Sequence, residues 1–329
     1  MKKITLKELA KILGVSIATV SKSLNDSHEI SIKTKLRVQE AAKKYNYSPN
    51  ELALNLKSGT TKTIGVVLPS ILEHFSAKIY CGIEKVSSAN GYTILVYTSS
   101  NSLEKEIKNI DKISKKHIDG FIVSLTDETI SKDVIDHLNQ LIDSGKPVVM
   151  VDNIIEELAC HKVVIDDYSE AYSSISNLLK LDGKNVLVLS SAKTANIDKE
   201  KIKGVIDALK NSFHIKRYVV FKETQNVDIK EFILDKIKNE QIDAIITLDK
   251  ETLFETYQVL QMQMQKIELI GFSDQKILKQ LFPSFTSIHR RGKFLGEIAT
   301  QMLIENIEGK SPLKYYNTVK INSLQKTII

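Results

Sequence analysis

From Lys62 onward, short apolar runs alternate with longer amphipathic segments, and this alternation limits the possible folds more than any other feature of the sequence. The segment Leu103–Lys116, for example, has the length and periodicity of an amphipathic helix and stands between two apolar runs. Repeated strand–helix–strand units imply parallel sheets that are covered by helices. The predicted strands form two sets, so we expect two similar lobes: Ile64–Leu68, Thr93–Tyr97, Gly120–Leu125 and Val148–Val151, then Lys162–Ile165, Asn185–Leu189, Val219–Phe221, Ala244–Leu248 and Leu269–Phe272.

Polar side chains that follow these predicted strands are candidates for a ligand site. Ligands of parallel α/β sheets bind beyond the carboxyl ends of the strands, so two facing lobes would form a cleft. Carboxylates accept hydrogen bonds from sugar hydroxyls, and an aromatic ring can stack on a pyranose, so this chemistry suits a carbohydrate. Acids at strand ends also serve as helix caps or solubilising residues, and that alternative stays open for each one. The candidates are His74, Phe75, Ser76, Asp152, Asp249, Ser273 and Asp274.

The net charge of the chain is concentrated in its first sixty residues. Residues 1–60 contain eleven Lys and Arg against five Asp and Glu, which accounts for the whole net charge of +6. A small basic module on a neutral body is typical of a protein that binds a phosphate backbone. Within it we assign Lys33, Lys35 and Arg37 at most to this sequence-independent attraction. On charge alone, a merely soluble N-terminal domain remains the alternative.

Helix signals in the same segment predict a helix-turn-helix. The residues Thr5-Leu6-Lys7-Glu8 form a capping box that starts a first helix, and Gly14 can take the left-handed conformation that ends it. Ser16 can cap a second helix and Ser31 a third. Two short helices joined by a glycine-containing turn, then closed by a third, are the architecture of DNA-binding helix-turn-helix domains. We expect helices from Leu6 to the turn at Gly14, from Ile17 to Leu24, and from Ser31 towards Tyr45.

The second of these helices is expected to lie in the major groove of DNA. Ile17 and Ala18 suit contact with thymine methyl groups, and Lys22 can donate to a guanine edge. For Ile17 a core position is the alternative, and for Thr5 and Ser31 the alternative is helix capping. The hydroxyl and amide groups available for phosphate contacts are those of Thr5, Ser16, Thr19, Ser21, Asn25, Ser31 and Thr34.

Two stretches, TLKELAKILGVSIATVSKSLN and ISIKTKLRVQEAAKKYNYSPNELALNL, resemble the headpiece and hinge of the LacI/GalR family of bacterial repressors. A weaker likeness continues over nearly the whole chain. The resemblance implies a repressor that binds a palindromic operator in double-stranded DNA as a homodimer. It also implies a two-lobed, periplasmic-binding-protein-like α/β domain that senses a small-molecule effector. On the family's pattern the DNA-binding candidates also include Tyr47, Asn50, Ala53 and Leu56.

A second capping box, Ser48-Pro49-Asn50-Glu51, predicts a short hinge helix. It can run only to about Leu56, because Lys57-Ser58-Gly59 ends it, and about eight residues are too few for a stable isolated helix. We therefore expect this segment to be helical only when something packs on it. In the family, two such helices pair at the operator centre and a leucine enters the minor groove. Leu56 stands at that position, where an apolar side chain would bend the duplex.

The family likeness adds Lys201 to the effector-binding candidates and shows three departures. Lys201 replaces an arginine, Leu248 replaces an asparagine before Asp249, and Asn153 stands where an arginine often follows the aspartate. The pocket is therefore expected to be less polar than usual. Its effector is then something other than a simple sugar, or the site is partly degenerate.

The expected divisions of the chain are a headpiece at 1–46, a hinge at 47–60, and an effector-binding and dimerisation domain at 61–329. Its lobe 1 is expected at about 61–157 and 287–312, and its lobe 2 at about 158–286 and 313–329.

Other functional classes lack support in the sequence. The GxGxxG, P-loop, HExxH and GxSxG motifs are absent, and His74 with Asp152 has no nucleophile beside it, so we expect neither an enzyme nor a cofactor. Cys81 and Cys160 are far apart, which argues against a disulfide framework or a zinc site. A transport binding protein would need an export signal, and the charged N-terminal residues lack its continuous apolar stretch. The longest apolar runs are too short to span a bilayer, so we expect a cytoplasmic protein.

Overall fold

The computed structural model of the chain forms two compact units, Met1–Thr61 and Lys62–Ile329. Residues 48–59 of the hinge predicted at 47–60, with the candidates Asn50, Ala53 and Leu56, lie outside the described residues, and so does Asp274. The described residues are 4–47, 60–178, 184–191, 199–212, 215–222, 228–262, 267–273, 280, 285–310, 316–321 and 326–328.

The first unit contains the three predicted helices: α1 (Leu6–Leu13), α2 (Ile17–Leu24) and α3 (Ile32–Lys44). The predicted turn is confirmed, because Gly14 takes the left-handed conformation with a φ of 65°. Such a φ disfavours residues with a Cβ atom. The helices enclose a small core of Leu9, Ala10, Leu13, Val20, Val38 and Ala42.

The second unit alternates strands and helices, as the sequence pattern predicts. Its strands are β1 (Thr63–Leu68), β2 (Thr93–Thr98), β3 (Gly120–Val123), β4 (Val148–Val151), β5 (His161–Ile165), β6 (Lys184–Ser190), β7 (Ile215–Lys222), β8 (Ala244–Thr247), β9 (Glu268–Gly271), β10 (Phe285–Ser287), β11 (Thr318–Ile321) and β12 (Lys326–Ile328). Its helices are α4 (His74–Ala89), α5 (Leu103–Ser114), α6 (Asp127–Lys132), α7 (Asp136–Asp143), α8 (Asp167–Leu178), α9 (Lys199–Lys210), α10 (Ile229–Asn239), α11 (Lys250–Gln261) and α12 (Gly292–Ile307).

The strands form two sheets, and the order of the first sheet corrects the predicted lobe boundaries. The first sheet has the order β12-β11-β5-β4-β3-β1-β2 and the second the order β10-β9-β8-β6-β7. Among the described strands, every pair is parallel except β11 with β12. The strands β5, β11 and β12 lie in ranges predicted for lobe 2. They belong to the sheet of lobe 1, because β5 pairs with β4, β11 with β5 and β12 with β11.

The chain passes from the first sheet to the second before β6 and returns after β10, where α12 packs on the first lobe. Leu295, Ala299 and Leu303 of this helix join the core formed by β1, β3 and β4. Helices α12 and α4 cross in direct backbone contact. A Cβ atom on Gly82 would lie 2.0 Å from the carbonyl oxygen of Lys293. This close crossing holds the N-terminal ends of both helices beside each other.

Within the described ranges, no helix is both long and apolar enough to cross a membrane.

Candidate DNA-reading face and effector cavity

Helix α2 presents the side chains predicted to read DNA on an exposed surface. Ile17 is 46% exposed, so the alternative of a core position for this residue is wrong. Ala18 and Lys22 are also exposed, whereas Val20 is buried in the core. One face of the helix therefore anchors it while the other offers two apolar groups and one ammonium group.

Three of the predicted phosphate contacts act as helix caps. The Thr5 hydroxyl accepts from the backbone N–H of Glu8, completing the predicted capping box. The Ser16 hydroxyl accepts from the N–H of Thr19 at 3.0 Å. The Ser31 hydroxyl accepts from the N–H of Thr34 at 3.3 Å. The predicted capping roles are thus confirmed, and phosphate contact by these hydroxyls stays a prediction.

The remaining DNA-binding candidates in the first unit differ in exposure. Asn25 is exposed, whereas Thr19, Ser21 and Thr34 are half-buried. Tyr47 packs against the core of the unit, and burial raises the pKa of its hydroxyl. Its backbone N–H also donates to the carbonyl of Ala42 at 2.8 Å. Tyr47 therefore anchors the end of the three-helix unit in addition to any contact with DNA.

Two basic side chains that the sequence assigned to general attraction for DNA have structural partners. The Arg37 guanidinium donates to the carbonyl of Leu13 at 2.6 Å and so caps the C-terminal end of α1. The Lys35 ammonium, 16% exposed, donates to the carboxylate of Asp26 at 2.7 Å and to its carbonyl at 3.1 Å. Both contacts hold the unit together. Neither contact is visible in the sequence, because the partners lie in other elements.

A cavity of about 840 Å³ opens in the second unit at the carboxyl ends of both sheets. It receives residues that follow β1, β2, β3 and β4 of the first lobe and β8 and β9 of the second. This is the place predicted from the parallel topology. Seven of the eight predicted effector residues line it: His74, Phe75, Ser76, Asp152, Lys201, Asp249 and Ser273.

Asp152, Arg290 and Phe75 form a charged and aromatic cluster in this cavity. The Arg290 guanidinium lies 3.6 Å from an Asp152 carboxylate oxygen and 3.9 Å from the centroid of the Phe75 ring. Burial raises the pKa of the Asp152 carboxyl, and the positive charge of Arg290 opposes this shift. Asp152 also has a left-handed φ of 64°, which an aspartate adopts more readily than most other residues with a Cβ atom.

The second lobe contributes Lys201 and Asp249, which have different roles. Lys201 is only 5% exposed and places its ammonium 5.6 Å from the centroid of the Phe272 ring. Asp249 caps α11, accepting from the N–H of Thr252 at 2.9 Å and from the N–H of Ser191 at 2.8 Å. The alternative that a strand-end acid is a cap therefore holds for Asp249. Its carboxylate shapes the cavity wall while both its oxygens are already engaged.

The cavity also contains polar residues that the sequence analysis did not select. Asp127 accepts hydrogen bonds from the side-chain amides of Asn101 at 2.8 Å and Asn153 at 3.2 Å. Asn101 and Ser100 both have left-handed backbone conformations, with φ values of 56° and 51°. The rule applied to other strand ends would have found Asn101, because it follows β2. Arg290 had no comparable signal, since it follows a three-residue strand that was not predicted.

One ion pair connects the two lobes across the mouth of the cavity. The Lys250 ammonium at the start of α11 lies 3.3 Å from the carboxylate of Glu73, which precedes α4. Both side chains are more than half exposed. In the part of the chain that the structure describes, no three His, Cys, Asp or Glu side chains come together in a way that could hold a metal ion.

Comparisons with known proteins find similar proteins over nearly the whole chain. Residues 5–50 match the model for bacterial regulatory proteins of the lacI family, and residues 64–311 match the model for a periplasmic binding protein domain. The HTH-type transcriptional regulator RegA of Clostridium saccharobutylicum is 27% identical over 93% of each chain. The structure of the lac repressor dimer bound to operator and the anti-inducer ONPF aligns with a TM-score of 0.75 and 17% identity, covering 99% of this chain and 98% of that one. The transcriptional regulator CelR in complex with cellobiose aligns with a TM-score of 0.61 and 19% identity, with the same coverage.

Proposed function

Because the chain belongs to the lacI family of bacterial regulators, with a periplasmic-binding-protein domain, it is a DNA-binding transcription regulator, and we propose that it is a repressor controlled by a carbohydrate or carbohydrate derivative. In this proposal the protein acts in the cytoplasm. It binds a palindromic operator as a homodimer, because the two-fold symmetry of a dimer matches the two half-sites of the operator. The observation that carries the proposal is the cavity at the carboxyl ends of both sheets, lined by polar side chains from both lobes.

The chemistry of the cavity favours a hydroxylated ligand. Its volume is typical of small-molecule sites. Asp152 and Asp127 supply acceptors for hydroxyl groups, and Lys201 and Arg290 supply donors. These groups argue for a built site rather than a degenerate one. The CelR neighbour binds cellobiose in a similar fold, which agrees with this class of ligand.

The aromatic contribution differs from simple ring stacking. One face of Phe75 is covered by the guanidinium of Arg290. A ligand ring that approaches from that side would meet the flat guanidinium, which both stacks and donates hydrogen bonds. The effector is therefore expected to present oxygen atoms towards Arg290 and not only an apolar ring face.

The DNA-reading side of the proposal rests on α2. Ile17 and Ala18 contact thymine methyl groups, and Lys22 donates to a guanine edge. Leu56 inserts into the minor groove, and effector binding changes the spacing of the two hinge segments. This coupling must be reciprocal, so operator DNA changes effector affinity by the same factor that effector changes operator affinity.

A thermal-shift screen of mono- and disaccharides, sugar acids and sugar phosphates tests the effector class on the full chain. A ligand that binds only the folded state raises the melting temperature. Asp152→Asn should weaken binding of the active compound roughly tenfold to hundredfold, because it removes hydrogen bonds to a charged group. Operator binding without effector should be retained.

Asp143→Asn is the matched control, since Asp143 is exposed at the end of α7 and away from the cavity. Equal ligand affinity in wild type and Asp152→Asn would contradict the cavity assignment. A screen in which only non-carbohydrate metabolites raise the melting temperature would contradict the ligand class and leave the cavity intact.

A further inference from the structure

Lys22, the side chain expected to read a base, is paired with an acid of the same unit. Its ammonium contacts the carboxylate of Glu29 in the loop between α2 and α3. The two side chains are 48% and 53% exposed, so the pair lies on the surface that α2 presents. An ion pair with this exposure contributes little to folding stability. Its position beside the reading helix suggests a role in DNA recognition.

The loop that carries Glu29 is held in place by contacts on both sides. The N–H of Ser27 donates to the carbonyl of Lys22 at 2.9 Å, and the N–H of Glu29 faces the Ser27 hydroxyl at 3.4 Å. Asp26 turns the chain with a left-handed φ of 54°, and Lys35 holds both its carboxylate and its carbonyl. The loop is therefore fixed against the end of α2, and Glu29 is delivered to Lys22 by the backbone.

The acids of the first unit differ in what they contact. Residues 4–47 contain four of them: Glu8, Asp26, Glu29 and Glu40. Glu8 belongs to the capping box of α1, and Asp26 binds Lys35. Glu40 is exposed on α3. Glu29 is thus the acid whose removal would change the charge next to the base-reading side chain.

We propose that Glu29 is a positioning residue for base recognition, which directs Lys22 to a guanine edge and keeps it from the phosphate backbone. This inference rests on the readout proposed for Lys22. An ammonium group has three donors, so Lys22 can keep one hydrogen bond to Glu29 while it donates to guanine. A guanine offers two acceptors, O6 and N7, in the major groove. If Lys22 contacted a phosphate instead, it would either lose Glu29 or bring that carboxylate close to the phosphate oxygens, which repel it. Glu29 therefore weakens binding to non-cognate DNA more than binding to the operator.

The experiment compares the full chain with Glu29→Gln on two probes. The first is a duplex selected from a random-sequence library by the wild-type protein, and the second is a random-sequence duplex of the same length. In the variant, Lys22 is free to contact phosphate on any sequence. Binding to the random duplex should become roughly threefold to tenfold tighter, with a salt dependence steeper by about one counterion. The guanine preference at the position read by Lys22 should weaken, and thermal unfolding should be unchanged.

Glu40→Gln is the matched control, because it removes the same charge from an exposed site on α3 of the same unit. It should leave the base preference unchanged and alter binding to the random duplex less than Glu29→Gln does. The double variant Lys22→Gln/Glu29→Gln, compared with Lys22→Gln, then isolates the action through Lys22. The additional loss of Glu29 should have little effect there, since the side chain that it directs is absent.

Four results would overturn the inference. Equal effects of Glu29→Gln and Glu40→Gln would reduce Glu29 to a general negative charge. Tighter random-duplex binding that persists in the Lys22→Gln background would show direct repulsion of phosphate instead of positioning. If Lys22→Gln itself leaves every base preference unchanged, the proposed readout by Lys22 fails and this inference fails with it. A changed preference in Lys22→Gln with an unchanged one in Glu29→Gln would overturn this inference alone.

Discussion

The three-helix unit and the effector cavity use similar polar side chains, but over very different sequence distances. In the three-helix unit, the capping hydrogen bonds of Thr5, Ser16 and Ser31 join residues three apart. In the cavity, Asp152 meets Arg290 and Glu73 meets Lys250, which are far apart in the chain. The small unit is organised mainly by local signals, whereas the cavity exists only after two lobes have folded.

The three-helix unit also contains a few contacts between residues that are far apart in the sequence. Arg37 caps α1 through the carbonyl of Leu13, 24 residues earlier in the chain. Lys35 similarly holds Asp26 in the preceding loop. Even the small unit therefore depends on a few long-range contacts, and these are the ones that the sequence analysis assigned to general attraction for DNA.

The largest expected effect comes from the crossing of α4 and α12. Gly82→Ala would place a Cβ atom 2.0 Å from the carbonyl oxygen of Lys293, so the two helices must separate. We expect a loss of about 2–3 kcal/mol in the free energy of unfolding of the second unit, as for other overpacked sites. Effector affinity should fall too, because the helices position Phe75 and Arg290. Urea unfolding followed by circular dichroism measures the first effect.

Gly14→Ala is the local counterpart in the three-helix unit. It meets no atom within 4 Å but must adopt a φ of 65°, so we expect a smaller loss of about 1–2 kcal/mol. A larger loss of unfolding free energy for Gly14→Ala than for Gly82→Ala would contradict this comparison. Long-range packing would then not be what distinguishes the second unit from the three-helix unit.

The second prediction concerns the cap of α2. Ser16→Ala should cost about 1 kcal/mol of stability in the three-helix unit, because the N–H of Thr19 loses its acceptor. Ser21→Ala makes the same chemical change in the middle of the helix and should be close to neutral, since alanine favours helix. Chemical unfolding of the two variants, each compared with wild type, measures the two changes in stability. Equal stabilities would contradict a capping role, whatever happens to DNA affinity.

The smallest expected effect is a pH dependence in the cavity. Burial raises the pKa of Asp152 in the folded protein, so its charged form costs stability above that pKa, and the cost disappears as pH falls towards the ordinary value of about 4. Asp152→Asn should therefore be more stable than wild type at neutral pH, with a difference that shrinks on acidification. The opposing charge of Arg290 keeps the effect small.

Unfolding measured from pH 7 down to pH 4 checks this sign, with Asp143→Asn in parallel as an exposed carboxylate. A variant less stable than wild type at pH 7 would mean that attraction to Arg290 outweighs burial. The ion pair between Asp152 and Arg290 would then contribute net stability to the folded protein.

Sequence patterns alone predict the helices of the first unit, the capping hydroxyls and nine of the twelve strands among the described residues. Those features follow from apolar periodicity and from side chains bonded a few residues away. The strand-end rule also placed Asp152, Asp249 and Ser273 at the cavity, since parallel strands share one carboxyl edge.

The sheet that each strand joins, and the pairs of charges that meet in the cavity, depend on tertiary packing. The apolar run of β5 looks the same whichever lobe receives it, and its place was fixed by pairing with β4 and β11. The same holds for Arg290 over Phe75, because their separation along the chain does not impose the contact. Local sequence patterns reflect interactions between residues that are close in the chain. These contacts instead depend on surfaces that exist only when separate elements have packed.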